Sequence, residues 1–80
     1  MMWNLVVYEP NGDRHTIPNL NGVRTARKLA LSIAEGRVKA SKGRLYVGFW
    51  AGTFDESDEL PVYKNTGEEY MSVRIFKQRR

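Results

Sequence analysis

Only one stretch of this 80-residue chain repeats its apolar residues with the period of a helix. In NGVRTARKLALSIAEG, residues 21–36, apolar side chains recur at spacings of three and four, and the charged ones fall on the other side. We expect Thr25 or Asn21 to cap its start and Gly36 to lie just past its end. A single helix covers one face of a sheet and leaves the other uncovered.

The other patterned stretches have the composition of strands. WNLVVY and a returning RHTI, ended by Pro18, flank the Asn-Gly pair of PNGD, which favours a tight hairpin turn. After a basic connector, RVKASKG, the pattern predicts strands at residues 44–51, LPVY and EEYMSVRIFKQ. Pro61 confines LPVY to an edge or a strand start, because proline cannot donate to a ladder. The sequence therefore predicts one α+β domain, residues 1–80, with a mainly antiparallel five-stranded sheet in the order β-β-α-β-β-β.

The residue composition argues against disulfide-bonded, zinc-binding, exported and membrane proteins. The chain contains no cysteine, so disulfides and cysteine-based zinc sites are excluded. The N-terminal residues lack a basic leader, and no window approaches the roughly 20 apolar residues that span a bilayer. We expect a cytoplasmic protein without a signal peptide or membrane contact.

Charge is unevenly distributed along the chain, whose formal net charge is +4. Residues 24–44 and 70–80 are basic, whereas residues 55–69 are acidic and hold a single lysine. Such asymmetry favours a polyanionic or an electrostatically steered partner. We expect GTFDESDE, residues 52–59, to form a solvated acidic loop, since it lacks the spaced ligands of a calcium site.

Alternation assigns the side chains of two strands to opposite faces. One set is apolar and is predicted to lie under the helix: Leu45, Val47, Phe49, Met71, Val73 and Ile75. The opposite set mixes aromatic rings with arginines: Arg44, Tyr46, Gly48, Trp50, Tyr70, Ser72, Arg74 and Phe76.

Aromatic rings between arginines suit base stacking and phosphate neutralisation, and they equally suit a protein interface. A third interpretation is that a loop covers this face. We predict a binding protein without catalysis that engages nucleic acid or a nucleoprotein through the sheet and the neighbouring basic segments. The predicted contacts are Arg44, Tyr46, Trp50, Tyr70 and Arg74 on the sheet, Lys39 and Lys42 in the connector, and Arg24, Arg27 and Lys28 on the helix.

The stretch GRLYVGFW resembles, in its LYVG, the short ribonucleoprotein motif of RNA recognition motif domains. If LYVGFW were that motif, two helices and three strands would have to follow, yet only thirty residues follow Trp50. Aligned with the family's longer motif, KGRLYVGF has Arg44 where the first stacking aromatic belongs. The match is therefore treated as accidental.

In size, lack of cysteine, charge asymmetry and layout, the chain is similar to small phage-encoded proteins, including anti-CRISPR inhibitors. That similarity implies a protein that occludes a host effector, with the acidic segment 55–69 imitating phosphates. A homodimer that buries the aromatic face is a further alternative.

Residues for catalysis are sparse. His15 is the only histidine, and no cysteine accompanies it. The glycines are dispersed and form no phosphate-binding loop. The sequence predicts no enzyme activity, no cofactor and no metal site.

Overall fold

The computed structural model describes residues 1–52 and 56–79. Its elements are β1 (Met2–Tyr8), β2 (Arg14–Asn21), α1 (Val23–Ala40), β3 (Leu45–Val47), β4 (Ser57–Lys64) and β5 (Glu69–Lys77). Within these residues the strands form one antiparallel sheet in the order β2-β1-β5-β4-β3, and α1 packs on one face. The predicted α+β fold and element order are confirmed. None of the described helical residues make a span long and apolar enough to cross a membrane.

The core lies between α1 and the face of the sheet that α1 covers. Alternate residues of β1, β4 and β5 point into it, as their period of two requires. The fully buried residues of α1 are alanines, whose small side chains bring the helix backbone close to the sheet, and Leu29 and Ile33 pack partly buried against the core. The buried apolar residues are Trp3, Leu5, Val7, Ala26, Ala30, Ala34, Leu60, Val62, Met71, Val73 and Ile75. The opposite face of the sheet, which α1 does not cover, is called the open face below.

The helix is longer than predicted and is capped differently. It continues through Gly36 to Ala40, because Arg37 and Val38 extend its inward surface: Arg37 pairs with Glu9, and Val38 packs against the core. The N-cap is Gly22, without a side-chain capping hydrogen bond. The predicted end at Gly36 and the predicted caps were therefore wrong.

Two of the three prolines lie within strands. Pro18 lies in β2, at the edge of the sheet, whereas Pro61 lies in β4, which has neighbours on both sides. The confinement of Pro61 to an edge or a strand start was wrong. Its carbonyl accepts from the Gly48 N–H at 2.8 Å, so its nitrogen also points toward β3, where the regular ladder has already ended at Val47. The missing donor therefore costs no hydrogen bond within β3 itself.

The acidic loop is shorter than predicted. Asp58 and Glu59 belong to β4, and the side chain of Asp58 is only 3% exposed. Burial of this carboxylate is offset by Arg27, whose Nη2 lies 2.5 Å from Oδ2 of Asp58. Asp55, the first acidic residue of the segment, lies outside the described residues.

Candidate nucleic-acid interface

The ten residues predicted to bind do not share one surface. Tyr46 and Arg74 lie on the open face, as predicted, while Trp50 and Arg27 contact each other on the helix side. Arg24, Lys28 and Lys39 are solvent-exposed positions of α1. The remaining three line a groove at the C-terminal end of the helix: Lys42, Arg44 and Tyr70.

Trp50 points toward the helix because the chain contains an extra residue after β3. The Gly48 N–H donates to the Pro61 carbonyl and the Ala51 N–H donates to the Glu59 carbonyl, so three steps along this segment match two along β4. Such a bulge shifts the alternation by one residue. The predicted faces of Phe49 and Trp50 were therefore wrong.

The two aromatic side chains consequently have opposite surroundings. Phe49, predicted to be under the helix, is 92% exposed. Trp50 packs partly buried against the core, and its ring lies 5.3 Å from the guanidinium carbon of Arg27. This geometry is a cation–π contact that helps to hold the segment after β3 against the helix.

A second irregularity moves Tyr70 from the open face. Val62 pairs with Met71 but Tyr63 pairs with Glu69, so Tyr70 is the extra residue of the β5 strand. The open face receives Glu69, which lines a concavity there with Arg74. Tyr70 instead lies at the end of the helix, and its predicted position beside Arg74 was wrong.

The open face carries arginines that its own acids balance. Arg74 Nε lies 3.5 Å from Oε2 of Glu59, and the Arg74 guanidinium carbon lies 5.7 Å from the centre of the Tyr8 ring. Arg14 contacts the same ring at 5.4 Å. With Glu69 also on this face, two described arginines meet two carboxylates, so the face offers little net positive charge to phosphates.

The groove at the end of α1 has a different electrostatic character. Its volume is ≈ 670 Å³. Three of its side chains are cationic, and its acidic neighbour is Glu68, whose Oε2 lies 3.8 Å from Lys64 Nζ. We call it the basic groove; it is lined by Ala40, Ser41, Lys42, Arg44, Leu45, Lys64, Asn65, Thr66 and Tyr70.

Hydrogen bonds from two polar side chains hold the loop that forms one wall of the basic groove. The Ser41 hydroxyl donates to the Val38 carbonyl at 2.6 Å and accepts from the Leu45 N–H at 3.1 Å. Across the groove, the side-chain amide of Asn65 donates to the Gly43 carbonyl at 2.5 Å, and the backbone N–H of Asn65 donates to the Arg44 carbonyl at 3.1 Å. The loop is therefore fixed before any ligand arrives.

Within this loop Lys42 has a left-handed backbone, with φ of 55°. That conformation costs an L-residue roughly 1–2 kcal/mol and is the usual place for glycine after a helix. Gly43 follows with φ of 86°. Lysine at such a position is a poor choice for stability alone, which makes its exposed cation a candidate for function.

Arg37, near the C-terminal end of α1, forms a salt bridge with Glu9. Its guanidinium donates two hydrogen bonds to Glu9, at 2.5 and 2.6 Å. The hydrogen bond from Arg37 lowers the pKa of Glu9, with burial opposing it and the charges of Arg37 and His15 adding to the decrease. The same hydrogen bond raises the pKa of Arg37, to which Tyr70 also contributes. This pair joins the residue after β1 to the helix.

The acidic segment is largely neutralised by the protein itself. Its carboxylates pair with cations elsewhere: Glu56 with Arg79, Asp58 with Arg27, Glu59 with Arg74 and Glu68 with Lys64. By contrast, Lys39, Lys42 and Arg44 form no salt bridge with any described residue. The excess positive charge is therefore available near the basic groove.

Sequence reasoning missed four polar residues of the groove: Ser41, Lys64, Asn65 and Thr66. The last three belong to the predicted turn KNTG. A turn sequence contains no signal that places it beside the end of the helix. Over the described residues, no group of three or more His, Asp or Glu side chains could hold a metal ion. Comparison with protein-family models, with curated proteins and with solved structures finds no match to this chain.

Proposed function

We propose that this protein binds nucleic acid, without catalysis, through the basic groove. The observation that carries the proposal is the concentration of cations without acidic partners around a groove that also contains a tyrosine ring. Lys42 and Arg44 line it, and Lys39 is exposed one residue before the groove-lining Ala40. Each phosphate that such side chains neutralise releases counterions and adds to a salt-dependent affinity.

Tyr70 offers a surface for a base, whereas the cations of the groove contact only phosphates. Its side chain is partly exposed, at 36%, and it lines the groove beside the cations. Stacking of one base on an aromatic side chain is worth about 1–3 kcal/mol and tolerates any base. A ring and cations in one groove suit a single strand, whose bases are free to leave the stack.

The rigidity of the groove supports the same function. Ser41 and Asn65 hold its loop with hydrogen bonds from two directions. Binding therefore orders little backbone, and less of the interaction energy is lost to conformational entropy. The left-handed Lys42 is consistent with a residue retained for its charge.

The pairing of the acidic residues favours this proposal over phosphate imitation. Asp58 is buried against Arg27, and Glu59 and Glu68 each lie beside a cation. Carboxylates neutralised in this way present little of the repeated negative charge that a phosphate mimic needs.

Fluorescence anisotropy with a labelled single-stranded oligonucleotide tests the proposal. We expect binding at low salt that weakens steeply as salt is added. Tyr70→Leu should lower the affinity while Tyr70→Phe, which keeps the ring, should preserve it. Absence of binding at low salt, or equal affinities for the two variants, would refute the proposed groove.

A further inference from the structure

The two edges of the sheet are protected to different degrees. β2, at one edge, contains Pro18 and an irregularity in its register with β1, where Asn19 has φ of 62°. Prolines and bulges are among the features that stop an edge strand from pairing with another chain. β3, at the other edge, contains no proline and is regular over its three residues, since the bulge begins only after it. Phe49, two residues beyond its end, is 92% exposed.

The backbone of β3 presents unpaired groups at that edge. Tyr46 pairs with Tyr63, and the Gly48 N–H donates to Pro61, so both point toward β4. Alternation therefore turns the N–H and C=O of Val47 outward. Next to it, the Leu45 N–H is bonded to Ser41, which leaves the Leu45 carbonyl as an acceptor.

We propose that β3 pairs in antiparallel fashion with β3 of a second copy, about a two-fold axis at Val47. In this register the two Val47 residues exchange their outward N–H and C=O groups. Leu45 of each copy lies opposite Phe49 of the other, where the bulge after β3 begins. Donors and acceptors are thus self-complementary, as a two-fold interface requires.

The same register places Phe49 of one copy opposite Leu45 of the other, which brings the most exposed large apolar side chain described to the interface. Arg44, one residue before the strand, is the nearest cation in the sequence. The two Arg44 residues lie three positions on either side of the axis, about 20 Å apart at the rise of a strand. That distance exceeds the screening length of about 8 Å at physiological ionic strength, so they do not repel appreciably.

Protection of the other edge limits the assembly. Because Pro18 and the irregularity at Asn19 disfavour strand addition at β2, pairing at β3 closes at two copies instead of extending into a fibre. The structure thus supports a dimer with one continuous sheet.

Sedimentation equilibrium of the full chain, from micromolar to millimolar concentration, tests the dimer. The wild type should dimerise. Phe49→Ser should weaken dimerisation at least tenfold, and so should Val47→Pro, which removes the outward N–H together with a side chain packed against the core. Ile17→Ser, a matched change of a partly exposed apolar residue on the opposite edge, should leave dimerisation unchanged.

Circular dichroism checks that each variant folds. If Val47→Pro is unfolded, Phe49→Ser alone tests the proposal. A wild type that remains monomeric at millimolar concentration overturns the proposal, as does equal weakening by Ile17→Ser and Phe49→Ser. None of these variants changes a cation of the basic groove, so the outcome is independent of nucleic-acid binding.

Discussion

The salt bridge between Arg27 and Asp58 is the most consequential buried polar contact in the described structure. Asp58 is 3% exposed and Arg27 is 29% exposed, and the guanidinium also lies over the Trp50 ring. Asp58→Ala removes the buried carboxylate that faces this partly buried cation. Breaking a buried pair in this way costs about 3–5 kcal/mol, and partial exposure of Arg27 places our expectation near the lower end, about 3 kcal/mol.

That loss is large for a chain of this size. At about 0.05–0.15 kcal/mol per residue, the free energy of unfolding is about 4–12 kcal/mol. Urea denaturation of the wild type and of Asp58→Ala measures the difference directly. Glu59→Ala is the matched control: Glu59 is the next residue in β4, and its pairing with the 46% exposed Arg74 should contribute less than about 1 kcal/mol.

A double variant separates loss of pairing from loss of packing. Replacing both partners, as Arg27→Met with Asp58→Leu, removes the two charges and keeps apolar volume. We expect it to recover most of the stability lost in Asp58→Ala. A cost below about 1 kcal/mol for Asp58→Ala, or a double variant as unstable as the single one, would show that the pair does not hold the helix to β4 as described.

Lys42, Gly48 and Glu9 each affect stability in a way that a single substitution tests. Lys42→Gly should stabilise the fold by about 0.5–1 kcal/mol by relieving the left-handed backbone, yet weaken oligonucleotide binding; a destabilised variant in urea would contradict the strain. Gly48→Ala should destabilise by about 1–3 kcal/mol, because the added Cβ would lie 2.5 Å from the ring of Tyr63, and an unchanged urea midpoint would argue against that close approach. Because the folded pKa of Glu9 lies below 4.5, its ordinary value, its contribution is present above pH 4.5 and is lost as the pH falls through the folded pKa. Glu9→Gln should therefore show a weaker acid dependence of the urea midpoint than the wild type, and identical pH profiles would refute this role.

Alternation predicted the faces wherever the strands are regular. Met71, Val73 and Ile75 are buried under the helix as the period of two requires. It failed for Trp50 and Tyr70, because each lies at a point where one strand holds an extra residue relative to its neighbour. A bulge changes the face of the residues at it without changing the local composition, so periodicity alone does not reveal it.

Long-range pairing was the other limit on sequence reasoning. The acidic composition of residues 52–59 predicted a solvated loop, yet Asp58 is buried because Arg27 meets it from 31 positions earlier in the chain. Similarly, Gly36 predicted the end of the helix, but the helix continues to Ala40 because the salt bridge between Arg37 and Glu9 stabilises the next turn. Two cations of the basic groove, Lys42 and Arg44, were recognised, whereas the side chain of Asn65, which holds their loop at Gly43, makes a tertiary contact with no local signal.

Nucleic acid is proposed to bind at the basic groove and not to basic residues in general. The most direct test compares two double variants with the same change in net charge, Lys42→Ala with Arg44→Ala and Arg24→Ala with Lys28→Ala, in salt titrations of single-stranded oligonucleotide binding. With about 0.7 counterions released per phosphate contact, the groove variant should lose about 1.4 from the slope of log affinity against log salt, while the helix variant keeps the wild-type slope. Equal slopes and equal affinities for the two double variants would contradict the account.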